Sequence, residues 1–321
     1  MHTVRLALEA MATRFELVLL GEDPVQLRAA GEEALREIAL LEGELSFYRP
    51  TSEVSRLNAR AASAPIRLTA RTFDLLLHSQ RLWQETGGAF DVTVAPLMKA
   101  WGFVGASGRW PDDNVLARAR EVTGMHLVEL SEPDRTVAFR HDGVCIDLGA
   151  IGKGFAIEEA VIILRECGVE RALLHGGTST MAAIGAPLGS DAWKVAVAHP
   201  TDPNEAFAVV ELRNEALSVS AAYEKAFVQN GKTWGHVIDP RSGLPVQGAL
   251  LAAVAHPSPT ECDALSTALL VLGCDAGELK RSPNDTIRSL TVCQGEEGGV
   301  RVTQAGINPL PTFTNEAGNL Q

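Results

Sequence analysis

The sequence has few aromatic residues and no excess of positive charge, and each shortage excludes a class of protein. Aromatic residues make up 5% of the 321 residues, so leucine, valine and alanine must supply most of the apolar core. The formal net charge of −12 argues against a nucleic-acid-binding surface, which needs clustered lysine and arginine. The same charge repels anionic ligands. A phosphate site would therefore need a local cation, such as a metal ion, a buried lysine or a helix N-terminus.

Cysteines are also scarce, and long apolar runs are missing. The five cysteines are widely spaced and form no CxxC pair, so neither a zinc site nor a disulfide framework is indicated and we expect buried free thiols. No signal peptide or early lipid-attachment cysteine is visible. No apolar run reaches the ~18–20 residues that cross a bilayer. We therefore expect a cytoplasmic protein that does not span a membrane. The cysteines are Cys145, Cys167, Cys262, Cys274 and Cys293.

The pattern of apolar residues predicts helices and strands without strict alternation. Helical spacing predicts helices at 24–45, 69–85, 155–167 and 261–272. Extended apolar segments predict strands at 14–20, 144–148, 171–174, 193–198, 206–212 and 250–255. Asn230-Gly231 predicts a two-residue type I′ hairpin, and another hairpin is expected around residues 298–299. We therefore expect an α+β fold with mixed helices and largely antiparallel sheets.

The predicted helix at 261–272 carries oxygen-bearing side chains on one face. Asp263 and Thr267 are four residues apart and so lie on adjacent turns, with Ser266 beside them. A carboxylate and hydroxyls are hard ligands, which suit Mg²⁺ and not zinc. Thr260 with Asp263 three residues later also resembles an N-terminal capping box, which would be a structural role.

A glycine-rich loop with one lysine follows the predicted strand at 144–148. The sequence IDLGAIGKG places Asp147 at the end of the strand and Lys153 in the loop before the next predicted helix. Loop N–H groups and a helix N-terminus both favour phosphate. The spacing fits neither a Walker A loop nor the GxGxxG pattern. A tight strand-to-helix turn without a ligand is the alternative.

Two further segments carry polar residues in otherwise apolar surroundings. His236 shares a face with Trp234 on the returning strand of the hairpin, where it could act as a general base or be a hydrogen-bonded structural residue. Gly87-Gly88 would let the backbone approach a ligand closely, and Asp91 and Thr93 follow on an extended segment. A helix stop followed by a strand is the alternative there.

Taken in order, these segments and two near the N-terminus resemble the ApbE-like family of FAD:protein FMN transferases. The resemblance runs from about residue 11 to 273 and implies a single catalytic domain over 1–321. It further implies a T-fold-like body with the flavin cleft between two sub-halves that meet near 104–121. The matching segments are MATRFELVL, SFYRPTSEVSRLN, GGAFDVTVAPLMKAWGF, IDLGAIGKGFA, HVIDPRSGLPV and CDALSTALLVLG.

The resemblance implies Mg²⁺-dependent transfer of FMN from FAD to a threonine or serine hydroxyl of an acceptor protein, with release of AMP. His236 would take the hydroxyl proton. The acceptor would be a flavin-carrying subunit of a membrane redox complex, and nucleic acid is not an expected partner. The positions implied to hold FAD are Met11, Tyr48, Ala89, Phe90, Asp91, Asp147, Lys153 and Val237. The positions implied to hold Mg²⁺ are Asp263, Thr267 and the carbonyl of Ala150, with Ser266 as a further candidate.

The sequence departs from the family pattern at several positions. Thr178 replaces the aspartate of a usual GGD, and Ala221 stands where glycine is expected. Glu158 replaces a common aspartate, and Cys262 replaces an alanine. The first two changes touch loops near the expected cleft, so two other functions stay open. One is an FAD-binding protein without transferase activity, and the other is a Mg²⁺-dependent FAD pyrophosphatase that gives FMN and AMP.

Overall fold

An eight-stranded antiparallel sheet forms the centre of the computed structural model, with strand order β1-β2-β6-β7-β10-β15-β16-β17. The structure describes residues 1–106, 108–202, 204–222, 225–275, 287–295 and 299–311. The strands are β1 His2–Ala10, β2 Thr13–Gly21, β3 Ile66–Arg67, β4 Val128–Ser131, β5 Thr136–Phe139, β6 Ala172–Gly176, β7 Thr180–Ile184, β8 Trp193–Ala198, β9 Ala206–Leu212, β10 Ala216–Ala221, β11 Ala226–Gln229, β12 Lys232–Gly235, β13 Ile238–Asp239, β14 Leu244–Pro245, β15 Ala249–His256, β16 Arg288–Gln294 and β17 Val300–Ala305. The helices are α1 Pro24–Leu45, α2 Glu53–Arg60, α3 Ala70–Glu85, α4 Ala95–Ala100, α5 Asp113–Glu121, α6 Gly152–Glu166 and α7 Pro259–Leu272, with a short 3₁₀ turn at Met125–Leu127.

The two faces of this sheet bury side chains against different partners. On β15, Ala252 and Val254 belong to the core that contains α1, α6 and α7. Leu251 and Ala253, which point to the opposite face, belong to a second core with Phe207 and other residues of the two-stranded β8–β9 ribbon. Because successive strand residues point to opposite faces, a strand buried on both sides reads as a continuous apolar run. All of β15 except its last residue is buried accordingly.

The late helix is anchored at its N-terminus by a neighbouring carboxylate. Ser258 caps α7 by accepting from the N–H of Glu261 at 3.2 Å. Glu158 of α6 accepts from the Ser258 hydroxyl at 2.7 Å and from the N–H of Thr260 at 3.1 Å. The capping-box alternative for Thr260 and Asp263 is therefore wrong. The helix begins two residues earlier than that alternative requires, which leaves the carboxylate of Asp263 for other contacts.

Several predictions from the sequence are confirmed. The α+β prediction holds, α1 spans 24–45, and β8 and β9 have the predicted bounds. Asn230 and Gly231 have φ values of 55° and 72°, as a type I′ turn requires. Strands β16 and β17 pair antiparallel as a hairpin, although Gly298 lies outside the described residues. The junction of two sub-halves near 104–121 stays a prediction.

The prediction of a strand at 144–148 is wrong. The segment is extended, but a side chain takes the place of a partner strand. Asn58 accepts from the N–H of Ile146 at 2.7 Å and donates to its carbonyl at 2.8 Å. The next N–H, of Asp147, donates to Val92 at 2.7 Å. The following helix also begins earlier than predicted, at Gly152 instead of residue 155.

The prediction of free thiols is wrong for one pair of cysteines. Cys274 and Cys293 form a disulfide, with 6.2 Å between their Cα atoms. The pairing is non-local, because β16 runs back beside the residues that follow α7, and spacing in sequence does not show this. Cys145 and Cys262 are buried and free, as expected, whereas Cys167 is free but only partly buried. Among the residues that the structure describes, no helix is both long enough and apolar enough to cross a bilayer.

Candidate functional site

A cavity of about 310 Å³ brings together most of the residues singled out in the sequence. Its wall is made by the loop before α6, by α7, by the end of β10 and by the segments at 89–98 and 236–240. It therefore joins parts of the chain that are more than 170 residues apart. The predicted site residues that line it are Ala89, Phe90, Asp91, Asp147, Ala150, Lys153, His236, Val237, Asp263 and Thr267.

A second cavity of about 300 Å³ contains the remaining two residues predicted to hold FAD. Met11 and Tyr48 line it, and so does Phe47. Asp147 and Lys153 line both cavities. The two cavities are therefore neighbours, called here the two lobes of the cleft, and the lysine-bearing loop lines both. Met11 lies in a turn of left-handed backbone, with φ values of 50° for Met11 and 57° for Ala12, and its N–H donates to Glu42 at 2.8 Å.

The junction between the lobes combines a partly buried carboxylate with cations. The Asp147 carboxylate accepts from the N–H of Gly149 at 2.9 Å. Burial raises the pKa of Asp147, and the charges of Lys99 and Lys153 oppose that rise. Burial, together with the charge of Asp147, also raises the pKa of Tyr48. Lys153 is the second residue of α6, so its charge adds to the positive end of the helix dipole.

The carboxylate of Asp263 is held from both sides. One oxygen accepts from the N–H of Gly154 at 2.9 Å. The other accepts from the hydroxyl of Thr180 at 3.2 Å and lies 3.4 Å from that of Ser218, which is also 3.1 Å from the carbonyl of Ser179. Asp263 is 4% exposed, so these donors fix a carboxylate that still reaches the cavity. A close approach of α6 to α7 makes this possible, because a Cβ on Gly154 would lie 2.3 Å from the carbonyl oxygen of Pro259.

The hydroxyls one turn later differ in their access to the cavity. Thr267 lines the cavity, and its hydroxyl donates to the carbonyl of Asp263 at 3.3 Å. Ser266 is fully buried and does not line the cavity. Its hydroxyl is 2.8 Å from that of Ser220, which lies on β10 and does line the cavity. The predicted Ser266 therefore lies behind Ser220.

The oxygen-bearing residues Asp263 and Thr267 fit Mg²⁺ better than zinc. The described part of the chain contains no group of three or more His, Cys, Asp or Glu side chains that could hold a metal ion. A site of the zinc type therefore does not fit there. The carboxylate residue Asp263, the hydroxyl residue Thr267 and Ala150 line a single cavity. Mg²⁺ is commonly bound in this way, through one or two carboxylates together with the phosphates of a substrate.

The sequence predicts His236 on the returning strand of the hairpin, but it lies one residue beyond the end of β12. The backbone N–H of His236 donates to the backbone carbonyl of Lys225 at 2.9 Å. The centroid of its ring is 6.5 Å from that of Phe103, edge to face. Phe103 and Trp101 form an aromatic cluster with Phe227, which lies on β11 of the hairpin. The imidazole lines the same cavity as Asp263 and Lys153.

Asp91 and Thr93 pair with each other at the edge of the cleft. The carboxylate of Asp91 accepts from the N–H and the hydroxyl of Thr93 at 2.7 and 2.5 Å. It also accepts from the N–H of Met125 at 3.3 Å. The oxygen of Thr93 in turn accepts from the N–H of Gly124 at 2.6 Å. Burial raises the pKa of Asp91, although these hydrogen bonds oppose the rise.

Comparison with known proteins decides the family. The sequence profile of the ApbE family matches residues 11–287. This chain belongs to the ApbE family. The FAD:protein FMN transferase of Haemophilus influenzae is 31% identical over 98% of this chain and 92% of that protein. The FAD:protein FMN transferase of Escherichia coli K12 is 28% identical over 83% of this chain and 77% of that protein.

Solved structures of ApbE proteins share the fold. The ApbE protein of Thermotoga maritima superposes with a TM-score of 0.83 at 26% identity, over 94% of this chain and 96% of that one. The flavinyl transferase ApbE of Pseudomonas stutzeri, in its apo form, gives a TM-score of 0.81 at 26% identity, over 94% of each chain. The family membership that the sequence motifs predicted is confirmed.

The departures from the ApbE pattern at Ala221, Thr178 and Glu158 fall at three different places. Ala221 lines the cavity beside Ser220. Thr178 is exposed in the turn between β6 and β7, and it is the next residue, Ser179, that lines the cavity. Glu158 retains a carboxylate and uses it to anchor α7. The substitution in the cavity wall is thus Ala221.

The sequence reasoning missed residues that hold the site from behind. Asn58, Thr180, Ser218 and Ser220 were not singled out, although each contacts a loop or a side chain of the cleft. A signal was present for the two serines. Ser218 and Ser220 alternate along one strand in the sequence SVS, so both hydroxyls point to the same face.

Proposed function

We propose that this ApbE-family chain transfers FMN from FAD to a threonine or serine hydroxyl of an acceptor protein and releases AMP. The observation that carries the proposal is a pair of neighbouring lobes that share Asp147 and Lys153. Lys153 lies where the lobes meet, and Asp263, Thr267 and His236 line one lobe. Such a cleft suits a dinucleotide, whose two ring systems are joined by a diphosphate.

The chain's own groups would hold the diphosphate at the junction of the lobes. Lys153 and the N-terminus of α6 provide positive charge there, and a helix N-terminus is a general anion site. This answers the difficulty set by the net charge of −12. The lobe of Met11 and Tyr48 would take one ring system of FAD, and the lobe of Phe90 and Val237 would lie at the other end of the dinucleotide.

Asp263, Thr267 and the carbonyl of Ala150 would hold Mg²⁺, with Ser266 supporting them from behind Ser220. When bound, Mg²⁺ supplies positive charge that offsets the charge developing on the phosphate oxygens during transfer. The hydrogen bonds from Gly154 and Thr180 keep the Asp263 carboxylate directed at that place. Preorganised ligands of this kind need no rearrangement when the substrate arrives.

His236 would act on the acceptor. Its imidazole accepts the proton of the acceptor hydroxyl, and the hydroxyl oxygen forms a bond to the phosphorus on the FMN side. The bond from that phosphorus to the bridging oxygen breaks, and AMP leaves with that oxygen. The products are an acceptor with FMN in phosphoester linkage, and AMP. Lys153 holds the diphosphate in place during the exchange.

We further propose that the acceptor is a flavin-carrying subunit of a membrane redox complex, with the threonine flanked by glycine. This part rests on the family resemblance. The cytoplasmic location stays a prediction. The Cys274–Cys293 disulfide is more typical of an oxidising compartment.

A reaction with purified components tests the proposal. The chain is incubated with FAD, Mg²⁺ and an acceptor domain that carries a Gly-flanked threonine, and intact-protein mass and AMP are measured. The expected result is one FMN group per acceptor with an equal amount of AMP, and neither for a Thr→Val acceptor. AMP with free FMN and unmodified acceptor would show a pyrophosphatase. Intact FAD without AMP would show a binding protein. Either result contradicts the transferase.

A further inference from the structure

Two serines of β10 face two residues of α7 at matched spacing. Ser218 lies 3.4 Å from the Asp263 carboxylate, and Ser220 lies 3.3 Å from the hydroxyl of Thr267. Alternate residues of a strand are separated by ~6.8 Å, and residues four apart in a helix by ~6 Å. The strand and the helix therefore present two polar pairs in register, one behind the other. Of the two serines, only Ser220 lines the cavity.

The direction of the hydrogen bonds follows from counting protons, since each hydroxyl has one to donate. Ser266 is fully buried, and its hydroxyl donates to the carbonyl of Asp263 at 3.0 Å. In the assignment that gives its only proton to this carbonyl, Ser220 is the donor in the 2.8 Å contact between the Ser220 and Ser266 hydroxyls. Thr267 donates to the same carbonyl at 3.3 Å. Both cavity-lining hydroxyls thus direct their protons into the protein.

This arrangement leaves oxygen lone pairs for the cavity. A hydroxyl whose proton points inward is an acceptor toward the ligand, which is the polarity that a cation requires and an anion does not. We propose that Ser220 is an additional residue of the divalent-cation site, with Ser266 and Thr267 as the partners that orient it. The inference rests on the proposed function, because that function places the cation beside Asp263 and Thr267.

Titration with Mn²⁺ tests the inference without using activity. Free Mn²⁺ is measured by electron paramagnetic resonance, at saturating FAD, for the wild-type chain and for Ser220→Ala. We expect Ser220→Ala to weaken Mn²⁺ binding about tenfold, within the range of about 10–100-fold found for residues that support metal ligands. Ser220→Thr keeps the hydroxyl and should restore most of the affinity.

The chain offers a matched control in the same cavity wall. Ser179 also lines the cavity, but its hydroxyl donates to the carbonyl of Gly176 at 3.4 Å. Ser179→Ala should leave the Mn²⁺ affinity unchanged. Thermal unfolding of each variant without metal shows whether the fold is retained.

The outcomes separate this inference from the proposed function. Equal Mn²⁺ affinity of Ser220→Ala and the wild-type chain, with binding abolished in Asp263→Ala, would overturn the role of Ser220 and leave the cation site in place. Absence of Mn²⁺ binding by the wild-type chain would overturn both. A tenfold loss in Ser220→Ala together with no modification of any acceptor would support the inference and contradict the transferase.

Discussion

Replacing Gly154 with alanine tests the contact that places the lysine loop beside the late helix. The added Cβ would lie 2.3 Å from the carbonyl oxygen of Pro259 and 2.7 Å from the Cβ of Asp263. Contacts of this kind are ordinary at 3.4 Å and beyond. The N-terminus of α6 must therefore move from α7 by about 1 Å. The obstacle is partly backbone, so a change of side-chain rotamer cannot relieve it.

Two effects of opposite sign set the size of the change. Alanine is the better helix former by about 1 kcal/mol. Overpacking of a close contact costs about 1–3 kcal/mol and sometimes more. The rigid obstacle puts the cost near the upper end, so we expect a net loss of about 1–2 kcal/mol in the free energy of unfolding. With an unfolding entropy of about 2.1 cal/mol/K per residue, Tm falls by about 1.5 °C for each kcal/mol in a chain of 321 residues, so the expected loss in Tm is about 1.5–3 °C.

The same displacement acts on the cation site. The N–H of Gly154 donates to Asp263 at 2.9 Å, and moving α6 away stretches that bond. We expect weaker Mn²⁺ binding in addition to the lower stability. Thermal unfolding and Mn²⁺ titration measure the two effects on one sample.

Gly152 provides the control for stability, because it lies two residues away in the same turn. A Cβ there meets only the Cβ of Leu148, at 3.8 Å. Gly152→Ala should be as stable as the wild-type chain or more so, by up to about 1 kcal/mol. If Gly154→Ala matches Gly152→Ala in stability and the wild-type chain in Mn²⁺ affinity, the close contact between α6 and α7 is refuted.

Three further predictions concern residues around the cleft. Ala12→Gly removes a side chain from left-handed backbone and should raise the free energy of unfolding by about 0.5–1 kcal/mol in urea titration; a loss would show that the turn is unstrained. Asn58→Leu leaves both backbone groups of buried Ile146 without their partner and should cost about 2–4 kcal/mol, with Asn58→Asp losing less; equal stability of the leucine variant would rule out this pairing. Burial raises the pKa of Asp91. Its carboxyl therefore contributes most to the free energy of unfolding below the ordinary pKa of about 3.9, and this contribution is lost as the pH rises through the raised pKa. The stability of wild type relative to Asp91→Asn should thus fall with increasing pH, and a rise would contradict the sign of the shift.

The features that were predictable from the sequence are those with a local signature. The apolar spacing of α1 and the Asn230-Gly231 turn each specify their structure within a short segment. The family motifs predicted a shared cleft, and the structure brings Lys153, Asp263 and His236 to one cavity. Their roles in binding and transfer stay predictions.

The features that were missed depend on partners far apart in the chain. Residues 144–148 look like a strand, but their backbone is paired by Asn58, 88 residues before Ile146. The spacing of the cysteines does not reveal that β16 returns beside the end of α7. Ser220 has no meaning for the site until β10 packs against α7, 46 residues later. Local patterns cannot encode contacts of this kind.

The most direct measurement is a crystal structure of the chain with FAD and Mn²⁺, using anomalous scattering to locate the metal. We predict Mn²⁺ bound by Asp263 and Thr267, with the diphosphate against Lys153 and an FAD phosphate on the metal. FAD bound away from this cleft, or Mn²⁺ bound without contact to Asp263, would contradict it.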